Sequence, residues 1–437
     1  MATGCDTFVA LGNSTITKST IFAKNSDRPK DECQTLIEVP RLNHETNSIV
    51  KCQFIEIPQS ETTYRHFGSQ PYWLWGYEHG FNEHQVVIGN EAVHSKFPDN
   101  ISPGLLGMDL VRLGLERGNS ASSAVNIITN LISKYGQGKF TKNHKSSNYD
   151  NSFIVADPNE AYIVEAANKE WVTKKIDSTI GISNIYSINT DWTNISSTAK
   201  QTSIENKWYI ESQERLDFFK TFSNDEIKGV KEGRGEFRRI RSCTYLNLFK
   251  GKLDLNIFLS LLKDHSNGEN PSENIQLNYS NNRSICMHYG ENSISNTAAS
   301  LIADLSQDKN RTAIYWCSLY TPCIGIFIPI FCEGNLPEKL SLKSKEFSKE
   351  TLWWKFHSIN KKINEDNNTK SSKTEFVRSS FLPLQKTFIK DSYIIAKEAQ
   401  TLINSGQKIK ANNLLSEYMN NSFKKVYNLT EEINKLI

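Results

Sequence analysis

The stretch from Cys5 to Gln34 constrains this chain more than any other. Residues 6–11 alternate and are rich in β-formers, Gly12-Asn13-Ser14 supplies turn chemistry, and residues 20–24 read as a second strand returning antiparallel to the first. Such a hairpin carries Lys24 and Asp27 back towards Cys5. A thiol, a cation and a carboxylate then meet close to the start of the chain, the pattern of a nucleophile whose base is its own α-amine once residues 1–4 are removed.

An α-amine has a reference pKa of about 7.7 to 8.0, so near neutral pH part of it is unprotonated and can take the thiol proton. An internal Cys5 has no such base. Loss of Met1 ahead of the small Ala2 leaves Ala2-Thr3-Gly4 still to be cut. Gly4, without a Cβ, lets the Cys5 sulfur approach the Gly4 carbonyl for an N-to-S acyl shift. The alternative is that Cys5 is a small buried hydrophobe in a strand, and the hairpin alone leaves both readings open.

Composition narrows the class. With Lys and Arg together at 51, Asp and Glu at 48, and a formal net charge of +3, the chain has no electrostatic case for a nucleic-acid or membrane partner. No basic region followed by an apolar run opens the sequence, and no segment has the length and apolarity of a membrane span, so the expected location is cytoplasmic. Eight cysteines without a Cys-x-x-Cys pair or a zinc-like Cys/His cadence fit a reducing compartment, and most of them read as core thiols, with no metal or other cofactor expected. Asn-x-Ser/Thr triplets at Asn13, Asn194 and Asn282 come cheaply in an Asn-rich chain.

Further along, residues 34–39 and 53–57 read as strands closed by Pro40 and Pro58. The loop Pro71-Tyr72-Trp73-Leu74-Trp75-Gly76-Tyr77 is aromatic enough that it either packs on the core or walls a pocket, which makes Trp73 and Trp75 candidate substrate-binding residues. His79 and His84 lack the His-Glu-x-x-His pattern, and Gly136-Gln137-Gly138-Lys139 lacks Walker spacing. Helices are predicted over 105–117 and 123–135, strands over 85–89, 152–156, 161–166 and 171–176, then helices over 198–222, 239–249 and 255–262. Closing strands follow over 284–288, 297–303, 312–318 and 325–331, and amphipathic helices over 387–404 and 411–437. The basic run Arg234, Arg238, Arg239, Arg241 has acids beside it and no interleaved aromatics, so it reads as a solvated face.

Several separated segments resemble the secernins, a family of cysteine dipeptidase-like N-terminal-nucleophile hydrolases. They are Cys5-Asp6-Thr7-Phe8-Val9-Ala10, Phe22-Ala23-Lys24-Asn25-Ser26-Asp27-Arg28, Trp73-Leu74-Trp75-Gly76, Ile182-Ser183-Asn184 and Arg241-Ser242. The resemblance implies an α+β fold, a four-layer αββα sandwich over 5–340; the polar, amphipathic pattern that follows reads as a helical C-terminal extension over 341–437 that wraps the sandwich or serves an interface, including one between copies of the chain. It also implies a catalytic set of Cys5 as nucleophile, Lys24 and Asp27 flanking it, Asn184 and Asn82 at the oxyanion, and Arg241 nearby. The implied substrate is a dipeptide with a free N-terminus, whose ammonium Glu78 or Glu83 could pair. Two alternatives stay open: an amidase for a non-peptide amide, and a non-catalytic regulator of exocytosis.

Overall fold

A computed structural model describes residues 4–98, 103–138, 149–209, 215–224, 226, 233–266, 283–289, 295–307 and 310–437. The strands are β1 (Cys5–Ala10), β2 (Thr20–Pro29), β3 (Gln34–Val39), β4 (Leu42–Asn43), β5 (Ile49–Lys51), β6 (Glu56–Pro58), β7 (Thr62–Thr63), β8 (His66–Pro71), β9 (His79–Asn82), β10 (Val87–Val93), β11 (Asp150–Ala156), β12 (Ala161–Ala167), β13 (Glu170–Ile176), β14 (Thr179–Ile182), β15 (Asn194–Ile195), β16 (Ser295–Leu305), β17 (Ile314–Leu319) and β18 (Ile328–Ile330). They form a six-stranded sheet in the order β14-β1-β2-β16-β17-β18 and an eight-stranded sheet in the order β15-β13-β12-β11-β10-β9-β8-β3, with two small ribbons, β4-β7 and β5-β6. Every neighbouring pair is antiparallel.

The two sheets face each other, with β1 packed across β10 and β11. Phe67 and Phe81 of the larger sheet stack in parallel, and Phe81 stacks in turn on Tyr315 of the smaller one. Helices cover both outer faces. Gly107–Arg117 and Ala121–Tyr135 lie on the larger sheet, Arg234–Leu248 and Leu255–Leu262 on the smaller one. The architecture is an α+β four-layer αββα sandwich. It explains the burial of β1 along its whole length: one face meets the opposite sheet, the other meets helices. The helix starts follow local chemistry, Ser120 accepting from Ser123 N and Asp254 from Ile257 N.

Three C-terminal helices, Leu352–Ile363, Lys370–Asn404 and Lys408–Leu436, pack at the β17 and β18 side. Their Trp353, Val377, Phe381, Leu415, Met419 and Val426 belong to the same buried cluster as Phe8 and Phe22. Trp353 also reaches the centre: its indole Nε1 donates to Ala298 O at 2.9 Å, at the bulge where the β16–β2 register shifts between Thr297 and Ala299.

Some local expectations change. The single helix expected over 198–222 is two short ones, Ala199–Glu205 and Phe218–Phe222, within the described residues. Residues 284–288 form no strand: the backbone bends there and crosses the helix-covered side of β2 and β16. The strand expected over 53–57 is the short β6, since the ribbon it builds with β5 is only three residues long. Lys139, Asp225, Glu232 and Asn282 lie outside the described residues.

Candidate active site

The register of β1 on β2 places Cys5 opposite Ser26 and Thr7 opposite Lys24. Strand alternation therefore turns Cys5, Thr7, Lys24 and Ser26 towards the opposite sheet, and Asp6, Asn25 and Asp27 towards the helices. Cys5 is 8% exposed at the head of the strand. Its sulfur accepts the Asp27 backbone N–H at 3.4 Å, and its own N–H donates to Asn184 Oδ1 at 2.8 Å. Burial pushes the Cys5 thiol up to about 12; Lys24 pulls it down, while Glu78 and Asp27 push it further up. With Gly4 attached, the sulfur is a neutral thiol at physiological pH, and among the described residues no base is hydrogen-bonded to it.

Lys24 crosses the gap between the sheets. Its Nζ donates to Asn90 O and lies 3.2 Å from Glu91 Oε1, and Thr7 Oγ1 donates to the same carboxylate oxygen. Gly89 makes the crossing possible, since a Cβ there would stand 2.6 Å from Lys24 Cδ. Burial alone disfavours both charges. Cys5, Glu91 and Glu78 outweigh it and hold the Lys24 ammonium above its ordinary value, while the burial of Glu91, offset in part by Lys24 and Thr7, leaves that carboxyl at about 7.

Asp27 works through its other end as well. Oδ1 accepts from Thr297 Oγ1 at 2.6 Å, whereas Oδ2 has no hydrogen-bond partner among the described residues. Burial, and then the neighbouring Asp6, raise its carboxyl well above the ordinary range, against Thr297, Arg238 and Lys24. The free oxygen faces Gly4. A Cβ built on Gly4, whose φ is +32°, would stand 2.7 Å from Asp27 Oδ2 and 3.0 Å from Arg238 Nη1, and would collide with Met287 Cε.

Asn184, just beyond β14, is held on both ends of its amide. Arg238 Nη2 donates to Oδ1 at 2.6 Å, and Nδ2 donates to Ala92 O at 2.9 Å, which leaves Nδ2 a second hydrogen. Arg238 also pairs with Asp6, Nε to Oδ2 at 3.0 Å, and donates to Ser183 Oγ at 2.8 Å.

No family model matches the chain. Among solved structures it is similar to a conjugated bile acid hydrolase from Clostridium perfringens in two variant forms. Each is 14% identical and covers 72% of this chain and 89% of the other, with TM-scores of 0.40 and 0.39. It is also similar to a Caenorhabditis elegans ortholog of N-acylethanolamine-hydrolyzing acid amidase, 13% identical over 69% of this chain and 92% of the other, TM-score 0.32. Likenesses of this extent carry no argument about the activity, and the fold stands on the sheets and helices above.

Of the residues singled out in the sequence, Cys5, Lys24, Asp27 and Asn184 come together. Glu78 is buried beside them: it acts electrostatically on Cys5 and Lys24, and Arg28 Nη1 donates to its Oε1 at 2.9 Å. Trp73 and Tyr149 both pack on the cluster of Leu74, Leu106 and Met108, and Tyr149 feels Glu78, Arg28 and Cys5. The other four are placed elsewhere. Asn82 spends its whole side chain on a turn, donating to Leu115 O and Gly118 O and accepting from His84 N and Val86 N. Trp75 lies under the Arg112 guanidinium, 4.1 Å from the ring centre. Glu83 pairs with Arg41 at the surface and accepts from Arg65 N. Arg241 forms an ion pair with Asp264, Nε to Oδ2 at 2.5 Å.

Two residues not proposed for the site stand near Cys5 and Lys24 instead, and one of them, Arg238, is buried rather than part of the solvated face the basic run suggested. Asn90, not Asn82, meets Lys24, because the β9–β10 connection brings Gly89-Asn90-Glu91 onto it, and Asn90 N donates to Glu78 O. Arg238 replaces Arg241: three residues apart on one helix, only the first meets Asn184. Gly89-Asn90-Glu91, close in pattern to Gly80-Phe81-Asn82-Glu83, was the available signal for Asn90. Spacing held none for Arg238. Two cysteines read as plain core thiols, Cys286 and Cys323, instead meet His265 and His288.

Proposed function

We propose that this protein is a cysteine-type amide hydrolase that frees its own nucleophile by cleaving the Gly4–Cys5 bond and then hydrolyses short peptides as a dipeptidase. The observation that carries the reading is the double hold on Cys5, its sulfur on the Asp27 N–H and its backbone nitrogen on Asn184 Oδ1. Once residues 1–4 leave, that nitrogen is an α-amine beside a thiol which burial has left protonated. It can take the proton, the thiolate attacks the substrate carbonyl, and the second hydrogen of Asn184 Nδ2 is available to the oxyanion. Expulsion of the amine leaves a thioester, and water activated by the α-amine hydrolyses it. Asp27 Oδ2, lacking a partner, is placed to accept from the new ammonium.

A peptide is favoured over a long acyl chain because charge lines the region next to the thiol. Glu78 stands there, ion-paired with Arg28, and the two ends of a zwitterion could exchange into that pair.

Intact mass and N-terminal sequencing of the wild type and of Cys5→Ala test the first half. A wild-type chain beginning at Cys5, with the variant still carrying Gly4, supports self-processing. A wild-type chain that keeps Gly4 overturns it. Processed enzyme is then offered dipeptides and N-acyl amides. Turnover confined to the amides would retain the hydrolase and reject the dipeptidase.

A further inference from the structure

Behind the site, on the helix-covered side of the smaller sheet, His265, Cys286, His288 and Cys323 bring four ligand atoms within 4.8 Å of one another, and all four residues are buried. They come from three separate stretches. His265 follows the helix Leu255–Leu262, Cys286 and His288 sit on the irregular segment 283–289, and Cys323 lies in the turn between β17 and β18.

Three of these groups converge on one atom. His288 Nε2 has His265 Nε2 at 3.1 Å, Cys323 Sγ at 3.3 Å and Cys286 Sγ at 3.6 Å. An imidazole nitrogen offers either one proton or one lone pair, so it cannot satisfy three such neighbours by hydrogen bonding. A central cation can, because each of the four atoms then directs a lone pair inward. With zinc–nitrogen bonds of about 2.0–2.1 Å and zinc–sulfur bonds of about 2.3 Å, the edges of a tetrahedron run from about 3.3 to about 3.8 Å. The three separations above come within a few tenths of an ångström of those edges.

We propose that His265, Cys286, His288 and Cys323 bind one zinc ion as a closed structural site. Two thiolates and two imidazoles are a soft-to-borderline donor set that suits zinc, and four protein ligands leave no open position for substrate or water. Binding releases the two thiol protons.

The ion would clip a segment that has no sheet of its own to hold it. Besides the cluster, residues 283–289 are fixed by Asn25 Nδ2 donating to Ile285 O, by Cys286 N donating to Asp264 O, both at 2.9 Å, and by Met287 N donating to Thr297 Oγ1 at 3.0 Å. Met287, between two of the ligands, is the residue packed against Gly4, and Thr297 is the partner of Asp27. Zinc there holds the wall of the cleavage site in place.

The test uses the full chain, expressed with zinc and dialysed against metal-free buffer without a strong chelator. Elemental analysis is expected to give one zinc per chain. Exchange with cobalt is expected to give the intense visible bands of a tetrahedral ion together with sulfur-to-cobalt charge transfer. Cys323→Ser is expected to lose the metal, while Cys33→Ser and Cys5→Ala keep it, the last separating this site from the proposed nucleophile. Substoichiometric zinc with no cobalt spectrum overturns the proposal. So does a Cys286–Cys323 disulfide in peptide maps of the freshly purified protein, or full metal content in Cys286→Ser/Cys323→Ser. Should the variants fail to fold, the wild-type metal content and cobalt spectrum decide alone.

Discussion

The backbone N–H of Cys5 donates to Oδ1 of Asn184 at 2.8 Å, joining positions 179 residues apart. The contact aligns β1 with the chain leaving β14 and sets an amide next to the thiol. Asn184→Ala removes this acceptor and the proposed oxyanion donor together. The expected result is a fall in kcat of about 10²–10³-fold, the usual effect of losing one such donor, measured on chains whose processing has been checked by mass.

Arg238 and Arg241 are separable by conservative exchange. Arg238→Lys keeps the charge but loses the fork that reaches Asp6, Ser183 and Asn184 at once. A loss of about 1.5–3 kcal/mol for one charge-assisted hydrogen bond corresponds to a drop in kcat/KM of about ten- to a hundredfold. Arg241→Lys, at the Asp264 pair, should leave kcat/KM within about twofold, since its effect falls on stability.

Gly4→Ala should block removal of the leading residues. Its methyl would meet Met287, Asp27 and Arg238 in a backbone conformation that L-residues rarely adopt. Intact mass reads the outcome directly: the variant keeps residue 4, whereas the wild type begins at Cys5.

Lys24 and Glu91 form a fully buried ion pair. Removing one partner strands the other charge, at a cost of about 3–5 kcal/mol, so Lys24→Met and Glu91→Leu should each lower the denaturation midpoint sharply. The double variant should recover much of the loss. A double-mutant cycle in urea checks the coupling, and strict additivity would count against it.

Asp109 caps its helix from a buried position, accepting from Leu106 N at 3.0 Å, and burial raises its carboxyl from 3.8 to about 7, against the backbone N–H groups of Leu106 and Gln53 and against Arg112. A raised folded-state value means that the folded chain binds the proton more tightly than the unfolded one. This contribution to stability is therefore complete below about 4 and is lost as pH rises towards 7. Asp109→Asn keeps an oxygen for the cap and cannot ionise. Its stability should show a flatter slope than the wild type across that window, measured by urea denaturation at several pH values.

The hairpin from Cys5 to Asp27 was legible because everything it needs is local: alternation, a turn and β-branched or aromatic side chains, with the register following from the turn. The helices Gly107–Arg117, Ala121–Tyr135 and Leu255–Leu262 were legible for the same reason, through apolar spacing and caps. Asn184 was found through the Ile-Ser-Asn resemblance, and the structure sets it against Cys5.

What the chain alone could not decide were choices between near-identical neighbours and meetings across distance. Asn82 and Asn90 both follow a glycine and precede a glutamate, within one or two positions, and only the strand pairing shows which faces Lys24 and which is spent on a turn. Arg238 and Arg241 differ by less than one helical turn, and only the seating of their helix on β1 and β14 decides which one reaches Asn184. His265, Cys286, His288 and Cys323 show no metal-like spacing because no single turn or hairpin carries them. Local propensity acts over a few residues and was written in the sequence. The cluster exists only where a bent segment, a helix end and a turn are pressed against β16, and that packing is long-range.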